Sequence, residues 1–217
     1  MTAPRIDLDI SWYWDYVPPA ADEVWTATVH DLLSEWVGAK VAAARAAWPA
    51  DADEEFPFTA EDMGAAVARD LVERAGSLET NCRLIWGAGF VGDDPRWLPL
   101  LVLAEFREAR PEDPAYLMAT VGADGFPDDV RAPQVDYVTT EKGDGVRVFA
   151  LARSEGEGLH GRVNAALRLQ IAAGEVDVLL STRVSGLDKL AVIGPGVESI
   201  MHMIAADPPQ FRSPEVS

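Results

Sequence analysis

This sequence predicts an α+β fold: an antiparallel meander sheet of about six strands, with N-terminal helices and a C-terminal helix packed on one face. Three observations predict it. Helical periodicity is confined to residues 22–76, alternation of period two with short glycine-containing connections runs from 82 to 184, and a helical pattern returns after 185. Helices first, hairpins next and a helix last is the order of helices packed on an antiparallel sheet, not of a βαβ repeat.

Taken in order, Ile6, Leu8, Ile10, Trp12, Trp14 and Tyr16 share one parity, which reads as a strand or extended arm ended by Pro18 and Pro19. From Asp22 to Trp48 the apolar residues Trp25, Val29, Leu32, Trp36 and Ala43 fall on one helical stripe, with Asp22 as N-cap and Pro49 as stop. "ADADEEFPF" (50–58) is an acidic turn. Thr59 with Asp62 three residues on forms a capping box for a second helix whose buried face is Met63, Ala66, Val67, Leu71 and Ala75, ending at Gly76.

Strands are expected at 82–91, 97–107, 129–139, 145–153, 159–171 and 175–184. "LHGRVNAALRLQI" alternates most regularly, with Leu159, Val163, Leu167, Leu169 and Ile171 on one parity and His160, Arg162, Arg168 and Gln170 on the other. "EKGDG", "SEGEG" and "AAGE" join the last strands as hairpins. "SGLDKLAVIGPGVESIMHMIAAD" closes the chain as one or two helical pieces broken at Gly194-Pro195-Gly196. The organisation is therefore an arm and two helices over 1–78 packed on the sheet, the sheet with its closing helix over 79–207, and a disordered tail over 208–217.

Gly87, Gly89 and Gly92 spell G-x-G-x-x-G behind the apolar run Leu84-Ile85-Trp86. A dinucleotide site needs a helix starting inside those glycines, because its first amides receive the pyrophosphate. Asp93 and Asp94 follow and would repel a phosphate, and Pro99 removes a donor from the would-be helix interior. The motif reads as a loosened strand and turn, and no cofactor is expected.

With 217 residues, 48% of them hydrophobic, the chain is long enough for a sizeable core. A net charge of −18 argues against nucleic acid and anionic membrane as partners, and no run of about 20 apolar residues suggests a span. Cys82 is the single cysteine and the N-terminus lacks a signal-peptide pattern, so a cytoplasmic setting is expected. His30, His160 and His202 show no zinc-type spacing, and neither a nucleophile elbow nor a Walker loop occurs. No metal ligand and no catalytic residue is assigned.

One pattern is less bland. Arg147, Phe149, Arg153, His160, Arg162, Arg168 and Arg183 are expected on one parity of the last three strands, as a candidate interaction face. Such a row of arginines is either a solubilising surface or is answered by carboxylates, from the acidic turn 50–55 and the helices flanking it, from a second copy or from a partner. From about residue 60 to 206, "LIWGAGFVG", "GDGVRVFALARSEGEGLHGRVNAALRLQI" and "EVDVLLSTRVSGLDKLAVIGPGVESI" resemble the small PsbP-like antiparallel-sheet domains of actinobacterial proteins. The resemblance implies a non-enzymatic binding or accessory domain and carries over no functional residue. The expected function is a cytoplasmic interaction or accessory protein, chaperone-like or immunity-type, working with a protein partner or as a homodimer. The alternative is a small hydrolase or other enzyme with a site assembled from scattered residues.

Overall fold

The computed structural model describes residues 9–20, 22–52, 54–113, 115–156, 158–172 and 174–208, so residues 209–217 of the tail expected over 208–217 and residues 6–8 of the expected arm lie outside the described residues. The chain runs β1 (Ile10–Tyr16), α1 (Glu23–Ala46), α2 (Ala60–Gly76), β2 (Cys82–Val91), β3 (Asp94–Glu108), α3 (Ala115–Val121), β4 (Gln134–Thr140), β5 (Gly143–Ser154), β6 (Gly158–Ile171), β7 (Gly174–Val184) and α4 (Leu187–Ala206). Seven strands form one antiparallel sheet in the order β1-β2-β3-β7-β6-β5-β4. The α+β class holds. The extra strand is β1, whose Trp12 and Trp14 pair opposite Gly89 and Gly87.

Local chemistry explains the elements. Asp22 accepts from the Val24 and Trp25 amides at 3.0 Å, and Thr59 accepts from the Asp62 amide at 3.0 Å, which satisfies orphan donors at both helix starts. The glycine run sits in a hairpin: Gly87 and Gly89 lie within β2, Gly92 makes the turn at φ +60°, and β3 follows where a nucleotide fold would place a helix. A Cβ at Gly87 would run into the Tyr13 carbonyl and the Trp14 ring, and one at Gly89 would stand 2.8 Å from Trp12. Close ring packing, not phosphate approach, is what these two glycines serve.

Helices cover both faces, which corrects the single-face expectation. α4 lies on one face, where Ile193, Val197, Ile200, Met201 and Ile204 bury against Ile85, Val102, Leu167, Val178 and Leu180. It touches strands from β1 at one edge to β4 at the other, so the sheet curls around it. α1 and α2 lie on the opposite face, with Val29, Leu33, Ala68 and Leu71 against Leu84 and Trp86. The reason is in β2: Ile85 and Trp86 are adjacent, both 0% exposed, and therefore need cover on both sides. The α4 segment also differs from expectation. It is one helix with Pro195 inside it, and beside the proline Gly196 leaves room for the Trp12 and Trp14 rings, which a Cβ there would meet at 3.0 and 3.2 Å. No described helix is long and apolar enough to cross a membrane.

Candidate functional site: a groove over the centre of the sheet

The face that carries α1 and α2 is only partly covered. At the β1–β3 end those two helices close it, and at the β5–β6 end α3 does, with Leu117, Met118 and Val121 packed on Val146, Val148, Ala166 and Leu179. Between them the floor is open. Leu103 of β3, Ser181 of β7 and Asn164 of β6 stand in register across three strands. One pleat step away lie Arg183 and Arg162, and one step the other way lie Glu105 and Leu179. Ser181 and Arg183 are exposed although β7 has strands on both sides.

This opening is a cleft of about 580 Å³ walled by Phe126, Pro127 and Asp128. It continues into a smaller one of about 150 Å³ beneath Thr120 and Val121, and the two share Asn164 and Ser181. The wall residues sit on the loop between α3 and β4. That loop is fixed to β5 by Val130 donating to the Leu151 carbonyl at 2.8 Å and Arg153 donating to the Asp128 carbonyl at 2.9 Å.

The charges of the groove are neutralised from within. Arg162 is 8% exposed, gives Nη1 to both Asp128 oxygens at 3.0 and 2.9 Å and Nη2 to Asp129 at 2.5 Å, and lies 4.5 Å over the Phe126 ring. Arg162 and Arg183 are direct cross-strand partners, a like-charge pair that costs energy unless an anion sits beside it. Asp128 is that anion. The Arg162 hydrogen bonds hold its carboxyl below the usual carboxylate range, and the charges of Arg162 and Arg183 add to this. At the other end Arg107 clasps Glu105 with Nε and Nη2 at 2.6 and 2.8 Å. Asn164 donates to the Val121 carbonyl at 3.2 Å and ties α3 to the floor.

The seven residues expected on one face divide between two. His160, Arg162, Arg168 and Arg183 lie on the groove face, whereas Arg147, Phe149 and Arg153 lie on the α4 face. The register is the cause: Arg147 pairs with Ala165 and Phe149 with Val163, both apolar core positions of β6. Arg147 reaches Glu198 of α4 at 2.6 Å and Asp136 of β4 at 2.9 Å, so it staples an edge strand and a helix to β5. Phe149 packs against the α4 core, and Arg153 is exposed. Arg168 grips Asp177 with Nε and Nη2 at 2.7 and 2.9 Å, beside the Tyr116 hydroxyl, which also donates to Asp177. His160 is 2% exposed, with Nδ1 at 3.3 Å from the Gly158 carbonyl.

Among the described residues the carboxylates that answer Arg147, Arg162 and Arg168 are Asp128, Asp129, Asp136, Asp177 and Glu198, which for these three arginines corrects the acidic turn 50–55 and its flanking helices as the expected source within the chain. Sequence reasoning missed Asn164, Ser181 and the 126–128 wall. The available signal was Ser181, a small polar residue that follows the apolar run Val178-Leu179-Leu180 and shares its parity with Arg183.

Cys82 is half-buried, and burial with the nearby Glu105 and Glu79 pushes its thiol up, away from the reactive thiolate. Among the described residues no group of three His, Cys, Asp or Glu side chains is placed to hold a metal ion. No family model, curated protein or solved structure matches this chain.

Proposed function

We propose that this chain is a non-enzymatic interaction protein that receives an extended segment of a protein partner in the groove over β7. The observation that carries the reading is the exposure of Ser181 and Arg183 in the middle of a sheet whose other face is filled by α4. From the arginine row to the Glu105 row is two pleat steps, about 14 Å, the span of roughly four extended residues. Between those ends the floor offers a hydroxyl and an amide (Ser181, Asn164) beside Leu103 and Leu179, a mixture that suits a backbone carrying apolar side chains. Because each end of the groove holds its own counter-ions, a partner is not required to bring charge to make the floor stable. The PsbP-like resemblance and the acidic composition support an accessory role in the cytoplasm, and a second copy of the chain belongs to the same class of occupant.

Ser181→Trp fills the groove at an exposed position, where a substitution changes stability by about 0.5 kcal/mol. The parent chain is expected to capture a partner from host extract, or to self-associate in sedimentation, and the variant is expected to lose that association while melting at the same temperature. A variant that keeps the same partner and the same mass would show that the groove is not the docking site.

A further inference from the structure

The far end of α1 leaves the body of the protein. Val41 is its last buried residue, and every residue from 42 to 52 is exposed. At the tip of this projection Trp48, Phe56 and Phe58 make a ring cluster of their own. Trp48 meets Phe56 edge-on at 5.5 Å, and Phe56 meets Phe58 edge-on at 5.7 Å. Trp48 is 40% and Phe58 51% exposed, and none of the three rings belongs to the core clusters that hold the sheet and helices together. Exposed rings gathered in one place are a costly surface for a protein to present without use.

The tip is also ordered by its own bonds. The Trp48 indole Nε1 donates to the Glu54 carbonyl at 3.0 Å, the Ala52 amide donates to the Pro49 carbonyl at 3.2 Å, and Arg45 Nη2 donates to the Phe58 carbonyl at 3.2 Å. The rings are therefore held in place before anything binds, which lowers the ordering cost that docking would otherwise carry.

The chemistry of the occupant follows from the surroundings. Asp51, Glu54 and Glu55 are exposed beside the rings. Carboxylates and the negative faces of aromatic rings both attract cations, and both favour arginine in particular. The tip already does this with a residue of its own chain: the Arg45 guanidinium lies 5.7 Å over the Phe56 centroid. We propose that Trp48, Phe56 and Phe58 with Glu54 and Glu55 form a second docking surface, for a cationic, partly apolar segment of a partner polypeptide. The same carboxylates repel anionic lipid and nucleic acid, and the surface works independently of the groove over β7.

The test uses the full chain labelled with ¹⁵N at tryptophan and two capped synthetic peptides, one alternating arginine with leucine and one alternating glutamate with leucine. The arginine peptide alone is expected to shift the Trp48 indole signal saturably, that signal being identified by its loss in Trp48→Phe. Affinity is expected to fall about tenfold in Phe58→Ala and again in Glu54→Gln/Glu55→Gln, the scale of a binding hot spot. All three positions are exposed, so the melting temperature serves as the folding control. Absence of a saturable shift overturns the proposal. So does unchanged affinity in the folded variants, or a response spread over the other indoles, since binding would then belong to the diffuse negative charge of the whole surface.

Discussion

Asp177 has no solvent exposure, yet it accepts from Arg168, from the Tyr116 hydroxyl and from the Arg110 amide. It is the point where β6, β7 and the start of α3 are locked together. Asp177→Asn would leave the Arg168 guanidinium without its counter-charge, and breaking a buried pair in this way costs about 3–5 kcal/mol. In a chain of this size the expected drop in melting temperature is on the order of 10 °C. The same residues set the response to pH. Burial pushes the Asp177 carboxyl up, but hydrogen bonds from Arg168 and Tyr116 outweigh it and leave the group below its usual range; Arg162 does the same to Asp128, and Arg147 to Asp136. A carboxyl that binds its proton less readily when folded stabilises the fold above its unfolded value of about 3.9, and the gain is lost as pH falls through the folded value. Tyr116 runs the other way: burial, then Asp177, push its hydroxyl up to about 12. Its contribution is complete below the unfolded value of about 10 and is lost as pH climbs through the folded one. Thermal melts across pH should therefore be flat near neutrality, fall below about pH 4, and fall again above about pH 10. Tyr116→Phe should weaken the alkaline fall and, because Asp177 then loses the Tyr116 hydrogen bond, part of the acid fall as well.

Among the elements, those with a strong local signal were legible. The thirteen-residue alternation of β6 and the Asp22 and Thr59 caps all rest on neighbours in sequence, and the structure has them in place. α3 was not legible, because Ala115–Val121 spans two turns, too short for a helical period to register. Parity on β5 was not legible: Phe149 and Leu151 share one side with Arg147, but Val146, Val148 and Ala150 make the other side apolar too, so only the register with β6 decides which side faces α4. Which carboxylate meets which arginine depends on register and on the 122–133 loop, and neither leaves a local trace. Element packing gives a paired prediction for two helical glycines. A Cβ at Gly196 would lie 3.0 Å from Trp12, so Gly196→Val should cost about 1–3 kcal/mol by overpacking. Nothing lies within 4 Å of a Cβ at Gly38 in α1, so Gly38→Ala should add about 0.5–1 kcal/mol. Urea unfolding of both variants beside the parent chain checks the two signs.

At the scale of the molecule, a net charge of −18 works against compaction. Raising ionic strength from about 0.01 M to about 0.15 M shortens the reach of that repulsion from roughly 30 Å to roughly 8 Å, while buried pairs are screened much less. The Arg162 and Arg168 pairs are of the protected kind, with their aspartates Asp129 and Asp177 buried. The melting temperature should accordingly rise with salt; a fall would mean that exposed pairs such as Arg74–Asp70 outweigh the self-repulsion.

The strand order has a consequence in time. Read along the sheet, β1-β2-β3 and β4-β5-β6-β7 are each run together by neighbouring strands, and the two runs meet only where β3 pairs with β7. The β2-β3 hairpin and the β4-β5-β6-β7 meander can each zip up locally, but the junction, like the β1–β2 pairing across α1 and α2, brings together residues from distant parts of the chain and must wait on slow loop closure. Leu103, Ser181 and Glu105, the centre of the groove floor, sit on that junction. The groove is therefore among the last features to form as the chain folds, and it vanishes as soon as the two halves part. A partner that fills it would clamp the junction shut, so that binding at one small surface holds the entire sheet closed.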